Sequence, residues 1–332
     1  MESSNREIAY EFPPRSKHNS FPVFIRVYRD GSVDRFVGTD IVPPSLHPVA
    51  GVCSKDIVAI PETGVSARLY LPNINPLRKL PLLVYFHGGG FCIETPFSPI
   101  YHSFINSLVA EANIVAISVH YRRVPEYPLP IAYDDSWAVL QWVAAHAESR
   151  VDDDASESWL RDYVDFDRVF LGGDSAGGNI AHNLALRSGA EELNNGGIKL
   201  LGMALIGSYL WGKERIGSEA TDPEKYITEE TTWLHACPSA KDNDDPRINP
   251  VAPGAPSLEG LGCRRVLVLV AGKDGLRDRG WLYHDSLVKS GWNGVVEIME
   301  TEEEGHVFHL FNPNCEKAEL RIKRLASFLN QV

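Results

Sequence analysis

Arg168-Val169-Phe170-Leu171-Gly172-Gly173-Asp174-Ser175-Ala176-Gly177-Gly178-Asn179-Ile180 is the stretch that decides how this chain folds. Arg168 to Gly172 reads as a short buried strand, and from Ala176 to Arg187 the pattern turns helical, with Ile180, Ala181 and Leu184 on one face. Between them Gly173-Asp174-Ser175-Ala176-Gly177 has the form G-x-S-x-G, a sharp strand-to-helix turn. The flanking glycines are what such a turn needs, because bulk beside the strained serine would clash. The helix start behind Ser175 aims backbone N–H groups and a positive dipole end at any negative charge formed there.

Working outward, apolar runs recur at Leu82 to Phe86, Ile114 to Val119, Val169 to Leu171, Leu200 to Ile206, Val266 to Ala271 and Val295 to Met299. Each is short, rich in Val, Ile and Leu and continuous rather than alternating, as in strands buried on both faces of a parallel sheet. Helical patterns lie between several of them, at Ala132 to His146 and again near the C-terminus through Ile322, Leu325 and Leu329. Alternating strands and helices predict an α/β class, with a mostly parallel sheet covered on both faces. Phe24 to Phe36 departs from this, since Arg29-Asp30-Gly31-Ser32 is a turn signal for an antiparallel hairpin. We expect one domain over 1–332, with residues 1–40 and 208–249 forming a cap over the carboxyl ends of the strands. The acidic clusters Asp152 to Asp154 and Glu302 to Glu304 read as solvated loop.

A second glycine motif, His87-Gly88-Gly89-Gly90, follows the first apolar run. Acyl transfer places negative charge on the former carbonyl oxygen, and glycines let backbone amides approach it closely. The N–H groups of Gly88, Gly89 and Ala176 are the expected donors. No Lys-Ser or Lys-Thr follows, so a phosphate loop is not indicated. A serine hydroxyl needs a general base that is itself oriented by a carboxylate, and in this fold these follow in the order Ser, acid, His. His306, after a flexible Gly305 beyond the last strand, is the expected base, and His309, among apolar neighbours, a core residue. Asp274, at the end of Val266 to Ala271, is the expected acid, with Asp278 more suited to pairing with a neighbouring arginine.

With these elements placed, the chain resembles the plant class I carboxylesterases, a branch of the α/β-hydrolases similar to hormone-sensitive lipase. The resemblance runs from about Arg26 to Phe328 and is carried by His87-Gly88-Gly89-Gly90-Phe91, Tyr121-Arg122, Pro125-Glu126, Pro128-Leu129-Pro130, Tyr133-Asp134-Asp135, Gly173 to Asn179, Lys273-Asp274, Asp278-Arg279 and Gly305-His306-Val307-Phe308. It implies the same Ser175, Asp274, His306 triad. Gibberellin receptors look similar but lack the histidine, which is present here as His306. The 2-hydroxyisoflavanone dehydratases are close at Val42-Pro43-Pro44-Ser45 and Lys289-Ser290-Gly291-Trp292, but typically carry threonine where Ser175 stands. Related cyclases of alkaloid pathways have a degraded triad or glycine motif. Gly207-Ser208 stands where relatives often have His-Pro, a position expected to touch the acyl or alcohol pocket. Gly90, Phe91, Ser208, Tyr209 and Trp211 are the residues expected to line that pocket.

Composition narrows the rest. Against 32 basic residues stand 44 acidic ones, a net charge of −12 over 332 residues, so the surface would repel nucleic acid and anionic membranes. The 5 cysteines are widely spaced with no CxxC pair, which suggests neither a disulfide framework nor a zinc site and fits a reducing compartment. With no signal-peptide or membrane-spanning run, the cytoplasm is the expected location. The expected activity is hydrolysis of a small-molecule ester on Ser175 with no metal or organic cofactor. Elimination or cyclisation by the same triad is the alternative, and a ligand receptor is the third reading.

Overall fold

The computed structural model describes residues 6–13, 22–73, 79–147, 157–191, 193, 198–221 and 226–331. Asp152 to Asp154 lie outside them. Its centre is β6 (Leu80–Phe86), whose sequence LPLLVYF is buried at every position. Because successive strand residues point to opposite faces, Leu82 and Val84 pack into one core while Leu83 and Tyr85 pack into another. A strand apolar throughout can therefore sit only in the middle of a sheet covered on both sides.

That sheet has eight strands in the order β11-β10-β9-β8-β6-β7-β5-β4. These are β4 (Val52–Ile60), β5 (Val65–Pro72), β7 (Val115–His120), β8 (Val164–Asp174), β9 (Leu200–Ile206), β10 (Arg265–Ala271) and β11 (Val295–Thr301) about β6. The pairings from β11 to β7 are parallel, and β5 runs antiparallel to both β7 and β4. The first core is completed by α2 (Ile131–Ala145), α3 (Ser158–Tyr163), α4 (Ala176–Ala190) and α6 (Arg277–Lys289), the second by α1 (Pro99–Ala112) and α8 (Glu316–Leu329). The expected α/β architecture is thus present, with one correction. β11 is an edge strand, half-exposed over most of its length, because it has a neighbour on one side only.

The expected hairpin is also found. β2 (Ile25–Tyr28) and β3 (Val33–Arg35) flank the turn and, with β1 (Ile8–Phe12), make a separate antiparallel sheet. In 208–249 a short 3-10 helix, Gly217–Ala220, precedes α5 (Ile227–Ala236). The small sheet lies against α5: the Phe12 ring stacks flat on His235 at 4.4 Å between centroids, and Tyr10 meets it edge-on. Parallel strands all open their carboxyl ends on one side, so the segments after β6, β8, β9, β10 and β11 converge there.

Candidate active site

Ser175 follows β8 directly, with φ 49° and ψ −120°, a conformation L-residues rarely adopt and one that stores on the order of 1–3 kcal/mol. Its N–H donates to the Ile206 carbonyl at 3.0 Å, and its own carbonyl accepts from Tyr209 N at 2.8 Å, so the end of β9 and the residues just after it clamp the turn from both sides. Gly177 is required by proximity, since a Cβ there would overlap the Phe86 carbonyl oxygen. α4 thereby starts almost in contact with the end of β6.

His306 comes from the loop after β11, and its Nδ1 lies 2.8 Å from Asp274 Oδ2. Asp274 is buried, and its other oxygen accepts the Leu276 N–H at 3.0 Å, so the loop after β10 fixes the carboxylate's orientation. The His306 side chain keeps 28% of its surface exposed. Burial alone would lower its pKa, but the charge and hydrogen bond of Asp274, joined by the more distant Asp174 and Glu229, outweigh burial and raise it. Gly207, just past β9, touches both partners: a Cβ on it would sit 3.0 Å from Asp274 Oδ2 and 3.4 Å from His306 Nδ1. Gly207 adjoins Ile206, whose carbonyl accepts the Ser175 N–H, so the backbone that holds the Ser175 turn runs directly into the residue beside Asp274 and His306.

The competitors resolve differently. Asp278 accepts Ser218 N and Oγ on one oxygen and pairs with Arg277 on the other, turned toward the 3-10 helix. His309, on α7 (Phe308–Phe311), is buried edge-on against Phe104, a core position as expected. Neither of its ring nitrogens has a hydrogen-bond partner among the described residues. Glu303 forms an ion pair with Lys273 at the surface.

The glycine motif requires a correction. The Gly88 N–H donates to Tyr101 Oη at 2.8 Å and is therefore not available to a substrate oxygen. The N–H groups of Gly89 and Gly90 have no acceptor among the described residues, and both residues have positive φ, 93° and 58°. Ala176 N, at the first turn of α4, is likewise without an intrahelical acceptor. Sequence spacing could not separate Gly88 from Gly90, because the deciding hydroxyl belongs to a helix thirteen residues further on. The roles of Tyr101 and Asp174 carried no local signal either.

Around this centre, Gly90 faces Thr232 of α5, with open space up to a methyl 3.7 Å from its would-be Cβ. Tyr209 spans from the nucleophile to α5, its hydroxyl donating to the Glu229 carbonyl at 2.7 Å. Ser208 is half-buried behind Gly178. Phe91 and Trp211 are packed as core: Phe91 among Tyr133, Tyr209 and Trp233, and Trp211 between Tyr226 and the Arg279 guanidinium. The loop carrying the glycines is pinned from the N-terminal sheet by Arg35, which donates to the Cys92 and Val124 carbonyls and pairs with Glu126.

A serine on a strained strand-to-helix turn, a histidine held by a buried carboxylate, and glycine amides left without an acceptor are the marks of the serine-hydrolase class of α/β site. The family model described as "alpha/beta hydrolase fold" matches residues 83–310, and this chain belongs to that family. It is 45% identical to a probable carboxylesterase 2 of Arabidopsis thaliana over 100% of this chain and 99% of that one. It is 43% identical to a 2-hydroxyisoflavanone dehydratase of Glycyrrhiza echinata, over 98% of each chain. Among solved structures, an esterase of Pyrobaculum calidifontis superposes with a TM-score of 0.67 over 83% of this chain and 84% of that one, at 24% identity, showing the same fold.

Proposed function

We propose that this protein is a serine carboxylesterase that hydrolyses small-molecule carboxylic esters through an acyl-enzyme on Ser175. The observation that supports this best is the 2.8 Å contact between His306 Nδ1 and the buried Asp274, beside Gly207, whose neighbour Ile206 accepts the Ser175 N–H. Neutral His306 takes the Ser175 proton as the hydroxyl attacks the ester carbonyl. The oxyanion rests on the N–H groups of Gly89, Gly90 and Ala176, each such donor being worth roughly 2.7–4 kcal/mol in acyl transfer. The imidazolium, stabilised by Asp274, then protonates the leaving alcohol and, neutral again, activates water. The cap is the N-terminal sheet together with residues 208–249, and Gly90, Ser208 and Tyr209 line the approach to the reacting carbon. Ser175→Ala should abolish hydrolysis of a short-chain p-nitrophenyl ester, and retention of most of the activity removes Ser175 from the mechanism.

A second reading, elimination on a hydroxylated substrate by the same triad, is supported by the full-length similarity to a dehydratase. Product analysis separates the two: a dehydrated hydroxyisoflavanone with ordinary esters left intact would overturn the esterase reading. No helix among the described residues is long and apolar enough to cross a membrane. A cytoplasmic location is our inference from the 5 unpaired cysteines, and imaging of a tagged full-length chain tests it.

A further inference from the structure

Asp174, the residue before the nucleophile, is a carboxylate with 1% of its surface exposed and no ion-pair partner among the described residues. Burying such a charge is costly unless hydrogen bonds replace its water. Two phenols do so: Tyr85 Oη donates to Oδ1 at 2.7 Å and Tyr101 Oη to Oδ2 at 2.8 Å. Burial raises the Asp174 pKa, and the two phenols and His306 oppose that rise without cancelling it. Tyr101 has a single hydroxyl proton and gives it to Asp174, so its oxygen is left as an acceptor, and that acceptor takes the Gly88 N–H. The contact is close enough that any side chain at Gly88 would overlap the Asp174 carboxylate.

The consequence lies in what each end of this chain of bonds precedes. Asp174 is two residues before Ala176, and Gly88 is one and two residues before Gly89 and Gly90. One half of the oxyanion site hangs from β8 and α4, the other from the loop after β6. We propose that Tyr101, anchored on the Asp174 carboxylate, is a positioning residue that sets the distance between these two halves. An oxyanion hole acts by having its donors fixed before the charge forms, and a misplacement of about 1 Å can cost on the order of 100-fold. This proposal rests on the reading of Ser175 as nucleophile.

The test is Tyr101→Phe, which removes one oxygen from a buried site and keeps the ring. Activity toward p-nitrophenyl butyrate is expressed per site titrated with a fluorophosphonate, so that a partly folded preparation is counted by its active molecules. We expect kcat to fall about 10- to 100-fold, less than for outright loss of a donor, with KM within about twofold. The inhibition constant of a trifluoromethyl ketone, which forms a tetrahedral adduct, should rise in parallel. Tyr85→Phe removes the phenol on the other carboxylate oxygen and leaves the Gly88 bond in place, so its loss should stay under about threefold. A Tyr101→Phe enzyme with kcat and ketone affinity within twofold of wild type overturns the proposal alone. Equal losses in both variants overturn it as well, since they assign the effect to general loosening around Asp174. A wild-type protein that neither hydrolyses the ester nor binds the ketone overturns the nucleophile reading and this proposal with it.

Discussion

Asp274→Asn tests the site most directly, because the structure specifies how the new amide must lie. One carboxylate oxygen accepts the Leu276 N–H at 3.0 Å and the other faces His306 Nδ1 at 2.8 Å. An asparagine that keeps its oxygen on Leu276 turns its NH2 toward His306 and forces the tautomer whose Nδ1 lacks a proton. Nε2 then carries the proton and cannot accept one from Ser175. The reverse orientation preserves the right tautomer but sets NH2 against the Leu276 N–H, leaving a buried donor unmatched at roughly 1–3 kcal/mol. At 1.36 kcal/mol per decade that route alone would cost about 5- to 150-fold. With the wrong tautomer populated and the imidazolium's counter-charge removed, we expect kcat/KM to fall about 10³- to 10⁴-fold, as in other triads lacking this charge. The assay is p-nitrophenyl butyrate hydrolysis at pH 8, with circular dichroism to verify folding. Asp278→Asn is the control, since that carboxylate is engaged with Ser218 and Arg277. A loss under tenfold for Asp274→Asn, or an equal loss for Asp278→Asn, refutes the assignment of the acid.

Four further outcomes follow from the geometry. His306 has a raised pKa and must be neutral to act as base, so kcat/KM should fall as pH drops through a value above the ordinary 6.5, and an acid limb below 6 contradicts this. The same shift makes its charged form stabilising: that contribution is complete below about 6.5, the unfolded value, and is lost as pH rises through the raised folded value, which denaturation across pH 5 to 9 can follow. Arg279→Ala strands Glu219, which is fully buried and paired with it at 2.6 Å, and should cost roughly 3–5 kcal/mol in urea unfolding; a loss under about 1 kcal/mol shows the pair is dispensable. Gly177→Ala drives a methyl into the Phe86 carbonyl and should destabilise by about 1–3 kcal/mol or more, so an unchanged melting temperature with full activity contradicts the close packing of α4 on β6.

Much of this protein was legible in its sequence wherever the physics is local. The G-x-S-x-G turn declares itself because backbone strain at Ser175 and the missing Cβ at Gly173, which would overlap the backbone of Gly177, are properties of a few consecutive residues. The buried strands declare themselves because β6 needs apolar side chains on both faces, and His306 and Asp274 because strand ends are where such groups collect. Tertiary structure decided what depends on residues distant in sequence. β11 reads like its neighbours as an apolar run, yet lies at the sheet's edge with one partner. The N-terminal sheet could be expected as a hairpin, but its seat against His235 of α5 follows from ring contacts between segments some 220 residues apart. Above all, three consecutive glycines are indistinguishable as amide donors until Tyr101, brought in by α1, takes the Gly88 N–H and leaves Gly89 and Gly90 free. Sequence determined which residues could perform the chemistry; the fold determined which of their hydrogen bonds were already engaged.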